Sequence, residues 1–225
     1  KGSSGVQQIA KFELERVTEA HALMQSLPKT LAEVQALSSS PRHVIADVKI
    51  RSSSAQGVSH WIVSHALEAD ALLMGLVEKK FHGGVALLPH GAAALRLGAP
   101  KGYQGHWCCQ LPLSELAVGF PLLIHGFFDL STSRKVVPLP RPNETNPDLQ
   151  LRWNQHLLRG PIASSLTQLI VRSRDIVKAK GLPLGSYLEL FELGKGEDKA
   201  AGTLRDVAGQ ALLERLLTGP EVFPV

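Results

Sequence analysis

Three hydroxyls followed by two cations, Ser131-Thr132-Ser133-Arg134-Lys135, form the densest cluster of chemistry-bearing side chains in the sequence. An apolar run over 120–130 leads into them, so a strand there would deliver hydroxyls and cations together at its exit. Hydroxyl donors beside a planar guanidinium suit a phosphate. Arg134 and Lys135 are the candidate phosphate contacts, with Ser131 and Ser133 beside them. The same five residues also fit a polar turn with two solvated cations.

Other constellations carry less. Cys108 and Cys109 are adjacent. A bridge between neighbours is strained, two thiols alone make no zinc site, and in a strand the two side chains point to opposite faces. The nine histidines show no metal-ligand spacing, and no metal site is expected. His60 and His65 lie five apart on a predicted strand and read as surface residues. Gly2-Ser3-Ser4-Gly5 has the composition of a phosphate loop but no preceding strand, so it reads as a linker or tag remnant. Between residues 79 and 143 the only carboxylates are Glu115 and Asp129, too few for a local acid pair. A Walker phosphate loop, a G-x-G-x-x-G, a G-x-S-x-G elbow and an H-E-x-x-H are all missing. No complete active site is legible.

The elements that must position these residues alternate in type. Val17, Ala20, Met24, Leu27, Leu31 and Val34 recur every three or four residues and predict a helix over 12–37, kinked at Pro28. Val44, Ala46, Val48 and Ile50 alternate with polar neighbours and predict a strand. A polar turn over 52–57 leads to a second strand over 58–65, hence a hairpin. A short helix is expected over 67–80 and a short strand over 85–88. A Gly/Ala/Pro-rich loop then runs to residue 105. Strands follow over 106–111 and 120–130, with a proline-rich connection over 138–147. Helix returns from about 149 to 180, interrupted at Gly160-Pro161. An apolar stretch over 187–193, a charged loop over 194–199 and a final helix over 203–218 complete the chain. The fold class expected is α+β, a mixed or antiparallel sheet with packed helices. Three segments are expected: an N-terminal helical segment over 1–40, a sheet domain over 41–148, and a helical part over 149–225 packed on it.

Composition fits a globular protein: 225 residues, 44% hydrophobic and 20% charged. No apolar run reaches the ~18 residues of a membrane span, and no signal-peptide pattern opens the chain. A cytoplasmic protein without membrane attachment, or a piece of one, is the expectation. Charge is uneven: residues 131–180 hold nine Lys and Arg against three acids, net +6, while the rest nets −2. Such a block can attract phosphates or nucleic acid. Aromatics are only 5% of the chain, which leaves few platforms for stacking bases, so nucleic acid is not the favoured partner.

Several ordered blocks carry a family resemblance. They are Phe81-His82-Gly83-Gly84-Val85-Ala86, then Gly105-His106-Trp107-Cys108-Cys109-Gln110-Leu111-Pro112-Leu113, then residues 119–130 with Arg134, then Trp153-Asn154-Gln155-His156-Leu157-Leu158, and Pro220-Glu221-Val222-Phe223-Pro224. Together they resemble the repeat region of sacsin and its bacterial relatives over about residues 81–225, and less closely over 43–65. Ser114 stands where the family pattern has a second proline, and Ile124-His125-Gly126 where it has Val-Asn-Gly.

The resemblance implies a context. Such segments follow an ATP-binding domain of the GHKL group and occupy the place of the middle domain of heat-shock-90-type ATPases. In that group the second domain sends a Lys or Arg onto the γ-phosphate held by the first. By resemblance Arg134 is the first candidate and Lys135 the second. The chain lacks the GHKL nucleotide motifs. It would therefore carry no cofactor itself, ATP and magnesium belonging to the parent protein, and would contribute to hydrolysis only with its upstream domain. Its partners would be that domain and client proteins, as a chaperone-like module. A nucleic-acid-associated GHKL module and a plain interaction scaffold are the alternatives.

Overall fold

Alternating apolar and polar residues need a sheet that covers one side of them, and the computed structural model supplies it. The structure describes residues 12–15, 28–37, 42–52, 58–69, 75–77, 88–97, 99, 103–118, 122–141, 143–180 and 199–218. Within them lie β1 (Phe12–Glu15), α1 (Leu31–Ala36), β2 (Arg42–Ser52), β3 (Val58–Leu67), β4 (His90–Leu97), β5 (His106–Cys109), β6 (Leu111–Ala117), β7 (Leu122–Gly126), α2 (Leu149–Leu157), a π-turn (Leu158–Ile162), α3 (Ala163–Lys180) and α4 (Lys199–Thr218). The architecture is mixed α+β, as expected.

The strands form one seven-stranded sheet in the order β1-β2-β3-β4-β7-β5-β6. All neighbours are antiparallel except β5 and β7, which run parallel with Trp107 opposite Ile124. The 43–51 alternation forms β2 as predicted, and the hairpin register pairs Val44 with His65 and Val48 with Trp61.

Helices α2 and α3 are one continuous rod through Gly160-Pro161. Pro161 has no N–H to donate, and the backbone widens into a π-turn there instead of breaking. The expected interruption is thus a local widening. The π-turn and α3 cover the face of the sheet carrying Gly91, Ile62 and Ile124. In α3, the Ser165 hydroxyl donates to the carbonyl of Ser64 at 2.8 Å. Helix α4 packs outside α3 and the π-turn, and its Arg215 pairs with Glu68 beyond the end of β3. The core holds Ile62, Leu122, Ile124, Trp107, Trp153, Leu157, Leu158 and Ile162, all essentially solvent-free.

Several expectations are corrected. The strand expected over 120–130 is β7, which ends at Gly126, and residues 127–130 are not in a strand. The helix expected over 12–37 holds a strand at Phe12–Glu15, which pairs with Lys49–Ser52, so the segment over 1–40 is not wholly helical. Phe-Glu-Leu-Glu alternates, and the open edge of β2 outweighs the longer-range helical spacing. Helix α1 begins at Leu31, where Thr30 Oγ1 accepts the Glu33 N–H, and residues 16–27 of the expected helix lie outside the described residues. The Gly/Ala/Pro-rich loop to residue 105 contains β4, a central strand. The strand over 106–111 ends at Cys109. Gln110, at φ 63°, turns the chain into β6, a strand not expected from the sequence.

Of the helix expected over 67–80, Leu67 instead ends β3, residues 68–69 are irregular, residues 75–77 are helical, and the rest lie outside the described residues. The loop-like Gly2–Gly5 segment, residues 85–87 of the strand expected over 85–88, the stretch over 187–193, residues 194–198 of the loop expected over 194–199 and the block over 220–224 lie outside the described residues; Leu88 is not in a strand and Lys199 opens α4.

Candidate functional site

The segment after β7 is held by the first turns of α2. Asp148 caps that helix, its carboxylate accepting the Leu151 N–H at 2.9 Å. Trp153 is fully buried and its Nε1–H donates to the Phe127 carbonyl at 2.9 Å. Asn154, also fully buried, accepts from the Asp129 N–H at 2.8 Å and donates to the carbonyls of Asp129 and Pro138 at 2.8 and 3.0 Å. Gln150 donates to the Asp129 carboxylate and to the Leu130 carbonyl, at 3.2 and 3.0 Å.

Between these anchors the chain makes a tight turn. The Ser131 N–H donates to Val136 O at 3.2 Å and the Arg134 N–H to Ser131 O at 2.8 Å. The Ser131 and Ser133 hydroxyls share a hydrogen bond of 3.1 Å. Arg134 sits at φ 57°, a region non-glycine residues seldom adopt. Residues 132–136 are exposed and Ser131 is half-buried. The turn therefore gathers Ser131, Ser133 and Arg134, with Lys135 next along it. Burial pushes the Cys109 thiol up, and the nearby Arg134 guanidinium partly opposes this.

The two cysteines behave as separate thiols. Cys108 Sγ donates to His106 O and Cys109 Sγ to Phe128 O, at 3.6 and 3.5 Å. Both are free. An open cleft of about 580 Å³ lies between the chain after the turn and α2, lined by Leu139, Arg141, Asn143, Glu144 and Leu151.

Three histidines distant in sequence form a cluster on the sheet. The strand registers place His65 and His125 on either side of Ala92, with His90 two residues away on the same face. His65 Nδ1 and His90 Nε2 are 3.1 Å apart. His125 Nε2 accepts the Gln110 N–H at 3.1 Å, which requires a neutral imidazole. Burial lowers the pKa of all three, and of His90 to about 3. His65 is thus no plain surface residue. Only strand register, which a single sequence does not reveal, could have grouped these rings. Among the described residues no group of three or more His, Cys, Asp or Glu could hold a metal ion, and no helix is long and apolar enough to cross a membrane. No protein-family model, curated protein or solved structure matches the chain.

Proposed function

We propose that this chain is the middle-domain-like segment of a sacsin-type, heat-shock-90-related ATPase. In this reading it couples the ATP state of an upstream GHKL domain to conformational change and client binding. The observation that carries the reading is the placement of Arg134. It is exposed at the tip of a turn whose two ends are tied to the buried Asn154 of α2. A guanidinium presented this way acts on charge that arrives from outside the segment.

The turn fits a single phosphoryl group, to which Arg134, Ser131 and Ser133 would donate. In this reading the rest of the nucleotide, with its magnesium, belongs to the upstream domain. When bound in its own domain, ATP with magnesium would supply the transferable phosphoryl group. The residues here would orient it and neutralise its charge. The basic block over 131–180 is in part engaged within the fold. Arg174 pairs with Asp175 at 3.2 Å and Arg152 Nε is buried, which weighs against the nucleic-acid alternative.

The test is steady-state ATP hydrolysis beside nucleotide binding in the ATPase that contains this segment. Arg134→Gly is the chosen variant because glycine accepts the positive φ. Turnover should fall ~100- to 1000-fold with affinity little changed, a usual cost of deleting one transition-state donor. Wild-type rates for both Arg134→Gly and Lys135→Ala would overturn the reading. A loss confined to Lys135→Ala would transfer the role to that lysine.

A further inference from the structure

We propose that Asn154 is a positioning residue for Arg134. Its carboxamide closes the neck of the 129–138 loop and so sets where the guanidinium meets phosphate. The inference rests on the phosphate role of Arg134 given above.

The loop is closed at three levels. At the neck, the Asn154 amide nitrogen donates to Asp129 O and Pro138 O together, so one buried side chain holds both ends. At the waist, the Ser131 N–H reaches Val136 O. At the tip, the Arg134 N–H reaches Ser131 O. The neck is the level that an element outside the loop controls. Its amide orientation is determined, because Oδ1 accepts the Asp129 N–H while both amide protons point to carbonyls. Gln150, one helical turn earlier, supports the same side through Asp129 and Leu130. Arg134 keeps an unusual backbone conformation, which persists only where surroundings over-determine it.

Aspartate at 154 keeps the shape and the bond from the Asp129 N–H. It loses both donations and sets a carboxylate against two carbonyl oxygens. Asn154→Asp therefore opens the neck without emptying the site.

The experiment is a double-mutant cycle on ATP hydrolysis in the parent ATPase, with Asn154→Asp, Arg134→Gly and the pair. Asn154→Asp should lower kcat ~10- to 100-fold with KM unchanged, the size expected when a catalytic group is misplaced by about an ångström. In the Arg134→Gly background it should have no further effect. Equal losses in both backgrounds would make Asn154 merely structural and overturn the proposal. A wild-type rate for Arg134→Gly would instead sink the phosphate role itself, and the proposal with it. Hydrogen exchange on the 225-residue chain gives a second readout. The amides of Ser131 and Arg134 should exchange at least ~10-fold faster in Asn154→Asp, with α3 unchanged. Unchanged loop amides would overturn the clamp whatever the ATPase result. Gln150→Leu, which removes two bonds from the same segment, serves if Asn154→Asp does not fold.

Discussion

Gly91 and Pro161 meet backbone to backbone: a Cβ on Gly91 would lie 2.5 Å from the carbonyl carbon of Pro161 and 2.6 Å from its oxygen. Neither side is the end of a flexible side chain, so Gly91→Ala must push the π-turn off the sheet. We expect a loss of about 3 kcal/mol or more, the range of severe overpacking. Gly209→Ala is the control. Nothing stands within 4 Å of a Cβ there, and it lies inside α4. It should gain ~0.5–1 kcal/mol from helix propensity. Urea midpoints check both, and an unchanged midpoint for Gly91→Ala would refute the close approach.

Trp153 is buried with its ring nitrogen bonded to Phe127 O. Trp153→Ala should cost ~3–5 kcal/mol, as large core truncations do. Trp153→Phe keeps most of the bulk and loses the hydrogen bond, for ~1–2 kcal/mol. Equal stabilities for wild type and Trp153→Ala, read by thermal unfolding, would show that the indole is no anchor.

Acid should weaken the fold through the histidine cluster. Burial, then the neighbouring His65 and His125, hold His90 at about 3 in the folded chain, against an ordinary 6.5. Between these values the unfolded chain binds a proton that the folded chain refuses. The stability contribution is therefore full above about pH 6.5 and is lost as pH falls towards 3, at up to ~1.4 kcal/mol per pH unit. His65 and His125 shift in the same direction and add to the slope. His90→Phe should flatten the fall between pH 6.5 and 4.5 by roughly one proton's worth. Parallel stability curves for the two proteins would contradict this.

What could be read in advance follows from which interactions are local. The β2–β3 hairpin is legible because alternation over 43–51 and a polar turn are local signals. The helix that carries Trp153 is legible because its start near residue 149, after a proline-rich connection, is a local signal. Strand β4 is not legible, because His-Gly-Ala-Ala-Ala has little intrinsic preference for extension. Its small residues suit contacts set by tertiary structure: Gly91 meets the π-turn on one face, and Ala92 separates His65 from His125 on the other. Around the site, the hydroxyl and cation run can be read directly, but not that β7 stops at Gly126, four residues short of it. The positive φ of Arg134 and the reach of Asn154 to Pro138 depend on a helix and a loop that meet only in the fold.

The position of β7 dictates an order of assembly. Strands β5 and β6 precede it in the chain, yet they reach β4 only through it. As the polypeptide is synthesised, residues 106–117 must wait as a two-stranded ribbon, a structure that is marginal in water. Only when residues 122–126 slot between that ribbon and β4 does the sheet become continuous. Closing it joins segments distant in sequence, and such closures are slow. The finished sheet is thus two blocks with one seam. Whatever frees β7 removes the pairing that joins the 106–117 ribbon to the rest of the sheet, so the amides of all three strands should open to solvent together.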